Sequence, residues 1–318
     1  MNNHSYQILS NIKTIALAIV LIPLATSCFE ESEYEKQQKE SDLQIKTYLQ
    51  DNNIEAKQAD NGIFYEMISS NESGTKPKLG EVVMVKYEMS TLDGKVLESF
   101  SSDSSLVKFS NNSVIPVGFN YGIDIMRKGE SIRVYIPSYL AYDSFSSKDE
   151  FGPNTNFILE IKLIDITTDQ QVYQNQIDQI EEYLIEEDLG EITPTTSGLY
   201  YKQVSPGEGT EAKAYHTATL HYTRKYLDGT VIQKTEDDAP LVVNLSTNQL
   251  VEGFREGVLK MKAGEKALLI MPADIAFGAS VKIIPSTVRE ELYEEGYIFS
   301  LVDAYQIVQY EVELLKLK

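Results

Sequence analysis

The sequence predicts an α+β protein made of two copies of one small domain, each an antiparallel sheet wrapped on one short helix, joined by a helical linker. Three observations lead there. The chain matches itself at an offset of 135 residues: Tyr87 pairs with Tyr222, Leu92-Asp93-Gly94 with Leu227-Asp228-Gly229, and Val96 with Val231. Gly118-Phe119, Gly122, Met126, Gly129-Glu130, Pro137 and Ala141 likewise recur as Gly253-Phe254, Gly257, Met261, Gly264-Glu265, Pro272 and Ala276. Within each copy, segments rich in β-formers surround one brief helical candidate, whereas a parallel βαβ sheet needs longer helices between strands. Between the copies, Tyr173, Ile177, Ile180 and Leu184 fall at helical spacing.

In chain order, residues 1–27 form an export signal. A polar stretch with Lys13 precedes an apolar run from Ile15 to Ala25, which is too short for the roughly 20 residues a membrane-spanning helix needs. The only cysteine, Cys28, follows the small residues Ala25-Thr26-Ser27. Residues 28–40, with Glu30, Glu31, Glu33 and Glu35, read as an acidic flexible tether with too few apolar side chains to fold.

The first domain spans 41–166, with a helical leader carrying Leu43, Tyr48 and Leu49. A strand at 83–87 leads to a turn at Asp93-Gly94, a helix at 120–126 stopped by Gly129, and strands at 131–136 and 157–164. The helical linker occupies 167–192, ending at Gly190 before Pro194. The second domain, 193–318, repeats the scheme with strands at 218–222, 267–271 and 308–317 and a helix at 255–261. After Phe277 the register changes, because Glu160 and Leu163 match Glu311 and Leu314 at an offset of 151. The last loop therefore carries about 16 extra residues (151 less 135). It holds Ile283-Ile284-Pro285, a capping-box pair at Thr287 and Glu290, and a stop at Gly296. It reads as a helical flap beside the second domain's own pocket, or as a solvated insertion.

Composition narrows the chemistry. With 318 residues, 28 Lys plus Arg against 48 Asp plus Glu, and a net charge of -20, the chain repels phosphate, so nucleic-acid binding is excluded. One cysteine and three histidines (His4, His216, His221) cannot build a thiolate or histidine-rich metal centre, and no cofactor is predicted. His216 and His221 lie on strand-like sequence and read as structural.

The ordered elements V-x-Y, L-D-G, G-F-x-x-G-x-x-x-M-x-x-G-E, a strand ending in Pro with A-Y or A-F beyond it, and a closing E-V-E-L-L-K-L resemble the FKBP-type peptidyl-prolyl cis-trans isomerases. The resemblance covers about residues 62–166 and 198–318, most elements appearing twice. It implies two FKBP-like domains that rotate X-Pro bonds in an apolar pocket. In the first, Phe119 matches the aromatic floor and Tyr87 a wall tyrosine. Tyr142 matches the tyrosine whose hydroxyl meets substrate, Glu98 the pocket carboxylate, and Leu97, Leu106, Ile115 and Leu159 the apolar walls. Pro116 stands where the family offers a backbone N–H, which proline lacks; a one-residue slip would give that role to Ile115. In the second, Phe254 is the floor, Tyr222 and Tyr310 are aromatic walls, and Ile232, Leu241 and Leu250 complete them. Val251 keeps the backbone donor, Phe277 replaces the hydroxyl-bearing tyrosine, and Gln233 replaces the acid. Each lobe is thus expected to enclose a dry hollow above a phenyl ring.

The region around Cys28 resembles the bacterial lipobox, although Ala25 stands where that pattern prefers Leu. The resemblance implies acylation of Cys28 and a lipid-anchored place in the bacterial cell envelope, on the outer membrane, facing the periplasm or the surface; the other reading is ordinary secretory cleavage that leaves Cys28 a free thiol. The acidic run beyond Cys28 is similar to surface-export signals of some lipoproteins. The expected partners are proline-containing polypeptides and the membrane, and the expected role is assistance in folding exported proteins. The alternative is a non-catalytic polypeptide-binding chaperone or a subunit of an envelope complex, with degenerate pockets.

Overall fold

The computed structural model describes residues 31–99 and 104–318. The signal segment and Cys28 lie outside the described residues.

The chain enters as helix α1 (Glu33–Asp51), so the acidic stretch from Glu33 onward is helical and the expected tether is corrected there. Ser32 caps the helix by accepting from the Glu35 N–H while the Glu35 carboxylate accepts from the Ser32 N–H. Glu33 and Glu35 lie at the end of the helix dipole that favours acids, and Glu, Lys and Gln are good helix formers. The buried face is Ser41, Ile45 and Leu49, packed on Phe64 and Tyr135, while Leu43 points outward.

The first domain then runs through β1 (Lys57–Gln58), β2 (Phe64–Ser69), β3 (Val82–Thr91), β4 (Val96–Glu98), β5 (Ser105–Lys108), β6 (Val114–Ile115), α2 (Val117–Ile125), β7 (Ser131–Ile136) and β8 (Phe157–Thr167). Its seven-stranded sheet has the order β1-β2-β7-β8-β3-β4, with β5 also on β3, and every pair is antiparallel. Helix α3 (Asp169–Glu186) leads into the second domain, made of β9 (Tyr200–Ser205), β10 (Thr217–Lys225), β11 (Val231–Lys234), β12 (Leu241–Asn244), α4 (Glu252–Leu259), β13 (Lys266–Met271), β14 (Lys282–Ile283), α5 (Arg289–Glu294) and β15 (Val308–Leu317). Its six-stranded antiparallel sheet is ordered β11-β10-β15-β13-β9, with β12 on β10.

The repeated glycines explain how each short helix sits on its sheet. A Cβ on Gly118 would lie 2.5 Å from Ile136 Cγ2, and one on Gly257 would lie 2.4 Å from Leu269 Cδ1. Only a hydrogen side chain lets helix and strand approach so closely. Both helices begin three residues before the positions the sequence suggested, because Pro116 and Val251 hold extended N-cap conformations. The repeated Glu is a turn brace: the Glu130 carboxylate accepts from the N–H groups of Asn71 and Arg127, and Glu265 accepts from Lys262 N–H and Tyr201 Oη.

Helix α3 is the second domain's leader as well as the linker. Ile180 and Leu184 pack on Tyr200, Ile270 and Ile307, as Ile45 and Leu49 pack on the first sheet. Ser41 accepts from Ser138 N–H, and Gln176 accepts from Ala273 N–H, so the repeat extends through both leaders at the same spacing.

The extra loop of the second domain sends residues 281–298 onto the first domain and returns at Val302, which packs in the second core. β14 pairs with β6 of the first domain, and Ile283, Ile284, Val288, Leu292 and Ile298 join the first domain's core cluster. It folds as a 3₁₀ turn at Ser286–Val288 running into α5, whose N-cap is Val288. The expected capping box at Thr287 does not form, because that residue lies within the 3₁₀ turn. Gly296 stops the helix as expected, with φ +78°. The peptide bonds Ile115–Pro116 and Ile284–Pro285 are cis.

Candidate functional site

The central residues of the first site converge. Phe119 of α2 is fully buried, and the Tyr87 ring meets it edge-on with centroids 6.0 Å apart. The Tyr87 hydroxyl donates to Glu98 Oε1 at 2.8 Å. Burial, then the Glu98 charge, pushes the Tyr87 phenol far above its ordinary value, so it remains a donor. Tyr142 packs on Phe145, Phe151 and Phe157, and burial raises its phenol likewise, again with help from Glu98. Leu159 lies at the centre of the core, while Leu97 and Ile115 pack on its edge.

Leu106 is a correction. It faces the seam between the domains, beside Val82, Val172, Ala304 and Tyr305, and its neighbour Val107 faces the core. Register is the cause: Val85 opposes Ser105, whereas its counterpart Leu220 opposes Leu241. The copies differ by one residue in this loop, and one residue turns a strand's faces over. Leu241 therefore does pack on the second core.

In the second site, Phe254, Tyr222 and Tyr310 cluster with centroids 4.5 to 5.8 Å apart. Ile232, Leu250, Val251 and Phe277 line the same cluster, half-buried. The residue that sequence reasoning missed is Arg224. It opposes Tyr310 on β15, where the first domain has Met89 opposite Leu159. Its guanidinium lies 4.7 Å from the Phe277 ring centroid and 5.8 Å from that of Tyr310. Its Nη2 donates to Gln233 Oε1 at 2.7 Å, and that oxygen also accepts from the Tyr222 hydroxyl at 2.8 Å. Only 8% of Arg224 is exposed, its Nε has no partner, and no carboxylate pairs with it among the described residues. The offset of 135 residues from Met89 was the signal that could have found it.

Neither floor ring is open to solvent, contrary to expectation. Phe119 is 0% and Phe254 2% exposed. The extra loop fills the first hollow, while in the second the Arg224 guanidinium lies against the Phe277 and Tyr310 rings and the walls stay half-exposed. The flap therefore belongs to the first domain's pocket rather than the second's. A cleft of about 460 Å³ opens instead at the seam, lined by residues that include Leu106, Lys282, Tyr305 and Ile307.

The model of the family described as FKBP-type peptidyl-prolyl cis-trans isomerase matches residues 73–164 and 208–315. Over 120 residues the chain is 31% identical to a Neisseria meningitidis protein named Probable FKBP-type peptidyl-prolyl cis-trans isomerase FkpA, covering 38% of this chain and 43% of that one. Over 233 residues it is 24% identical to the human Peptidyl-prolyl cis-trans isomerase FKBP10, covering 69% of this chain and 36% of that one. The chain thus spans less than half the length of both relatives. A crystal structure of the three FKBP domains of wheat FKBP73 aligns with TM-score 0.33 and 21% identity, over 81% of this chain and 96% of that one.

Proposed function

Since the chain belongs to the FKBP-type peptidyl-prolyl cis-trans isomerase family, two matched segments covering more than half of it, we propose that its first domain catalyses rotation about X-Pro bonds in exported polypeptides. Resonance raises the rotational barrier to about 18 to 20 kcal/mol. A twisted amide loses that resonance and its charge separation, so an apolar, water-poor pocket favours it over the planar form. Phe119, Tyr87 and Leu159 supply the apolar surroundings, and Tyr142 supplies a hydroxyl donor that fixes a substrate carbonyl. One observation carries this reading: the Tyr142 hydroxyl donates, at 2.8 Å, to the carbonyl of the residue that precedes a proline, Ile284.

The second domain fits the non-catalytic reading better. A guanidinium lies against its wall rings, and Phe277 offers no hydroxyl. It serves as a polypeptide-holding or scaffolding lobe. Acylated Cys28 anchors the chain in the bacterial cell envelope, a reading that rests on the apolar run and the small residues before it. Incorporation of an alkyne-tagged fatty acid, lost in Cys28→Ala, tests the anchor.

Exchange spectroscopy on an isotope-labelled Ile-Pro peptide tests the activity. Catalysed exchange that falls at least tenfold in Phe119→Ala, equivalent to about 1.4 kcal/mol, is expected. Uncatalysed exchange with the full chain, and with the double variant Ile283→Asp, Ile284→Asp that opens the first pocket, would remove the enzymatic claim and leave a binding module.

A further inference from the structure

The first pocket already holds a peptide, and that peptide comes from the second domain. β14 lies parallel to β6, with Lys282 opposite Val114 and Ile283 opposite Ile115. The N–H groups of Lys282 and Ile284 donate to the carbonyls of Ser113 and Ile115, each at 2.9 Å. The Ile284 carbonyl accepts from Tyr142 Oη at 2.8 Å, and the Ser286 N–H donates to Glu98 Oε2 at 2.6 Å. Ile283 and Ile284 are fully buried in the same cluster as Phe119. Nonspecific packing hides greasy side chains, but it does not match backbone to backbone while engaging both polar groups of a pocket. Adding a short strand with alternate side chains in pockets is how extended peptides are recognised.

The segment is also fastened at both sides. Asp303 pairs with Lys282 at 2.6 Å and with Arg289 at 2.7 Å, tying β14 to the start of α5. From the first domain, Ser147 Oγ and the Lys148 N–H donate to the Glu291 carboxylate at 2.8 and 3.2 Å. The Tyr297 ring meets Phe145 edge-on, centroids 5.7 Å apart.

We propose that residues 281–298 act as a built-in competitor that closes the first pocket, so that a client reaches Phe119 and Tyr142 only by displacing this strap. The proposal rests on reading the first pocket as a prolyl-peptide site. A tethered segment competes at an effective concentration of about millimolar, and apparent client affinity falls by the fraction of time the pocket is open. Clients best able to exchange carry two apolar residues before proline, as the strap does.

The test uses the full chain, the double variant Ile283→Asp, Ile284→Asp, and the single variant Glu291→Lys, which loosens the clamp without touching the apolar plug. The probe is a fluorescent peptide of residues 281–288, read by anisotropy, alongside exchange spectroscopy on an Ile-Pro peptide. The double variant is expected to bind the probe at least about tenfold more tightly than the intact chain, with Glu291→Lys between them. Equal probe affinity in all three, or no binding in any, overturns the proposal. Should the double variant lose its cooperative thermal transition, Glu291→Lys against the intact chain decides. The two claims separate cleanly: probe binding gained without catalysis keeps the strap and removes the enzyme, whereas equal catalysis in all three keeps the enzyme and removes the strap.

Discussion

Side chain for side chain, the two lobes differ by a charge. Met89 of the first is fully buried among apolar neighbours, while its counterpart Arg224 brings a guanidinium into the matching place. Gln233, where the first lobe has Glu98, offers only a neutral oxygen. A buried cation without a carboxylate is costly, and apolar replacement of even a paired buried ion is often neutral or stabilising by about 1 to 4 kcal/mol. Arg224→Met is therefore expected to raise the denaturant midpoint of the second lobe, and Gln233→Glu to raise it by pairing the charge. Urea unfolding followed by circular dichroism checks both; a fall in the Arg224→Met midpoint would show that the ring contacts of Arg224 outweigh its missing counter-ion.

In each leader helix one buried polar residue, Ser41 or Gln176, hydrogen-bonds to the domain it packs on. Gln176 donates to the Tyr305 carbonyl at 2.7 Å and accepts from the Ala273 N–H at 2.9 Å. Gln176→Ala leaves both backbone groups buried and unpaired, with an expected loss of about 1 to 3 kcal/mol in thermal unfolding. Duplication made the strands and the short helices legible, since two noisy patterns agreed at one offset. The same offset pairs Ile45 with Ile180 and Leu49 with Leu184, so the leaders were readable too. The acidic start of α1 departs from the tether that its low apolar content suggests, because helix propensity and the Ser32–Glu35 capping box decide there. The resting place of the strap left no local trace: its partners Glu98, Ile115 and Tyr142 lie more than 140 residues upstream, and periodicity reports only near neighbours.

At the scale of the whole molecule, the lobes share a seam at Asp169, which pairs with Lys108 and accepts from the Tyr305 hydroxyl at 2.8 Å. Burial works against its ionisation, but those two hydrogen bonds win and hold the carboxyl below its ordinary value. A depressed folded value means that this support is present above the unfolded value of about 3.9 and is lost as pH falls through the folded one. Its side chain is 61% exposed, so the contribution stays under about 1 kcal/mol. Asp169→Asn should flatten the acid limb of the stability profile below about pH 4 and leave the neutral plateau slightly lower; an unchanged acid limb would remove the seam from the account.

The five strap side chains completing the first lobe's interior make the halves unequal reagents. Expressed without residues 167–318, the N-terminal fragment would carry a raw oily socket and is expected to oligomerise or bind anilinonaphthalene dyes, as exposed apolar patches do. The C-terminal fragment would instead trail a loose, trimmable loop, visible as early tryptic cuts at Lys282 or Arg289. Mixing the two should restore solubility, making fragment complementation a natural property of this duplicated chain.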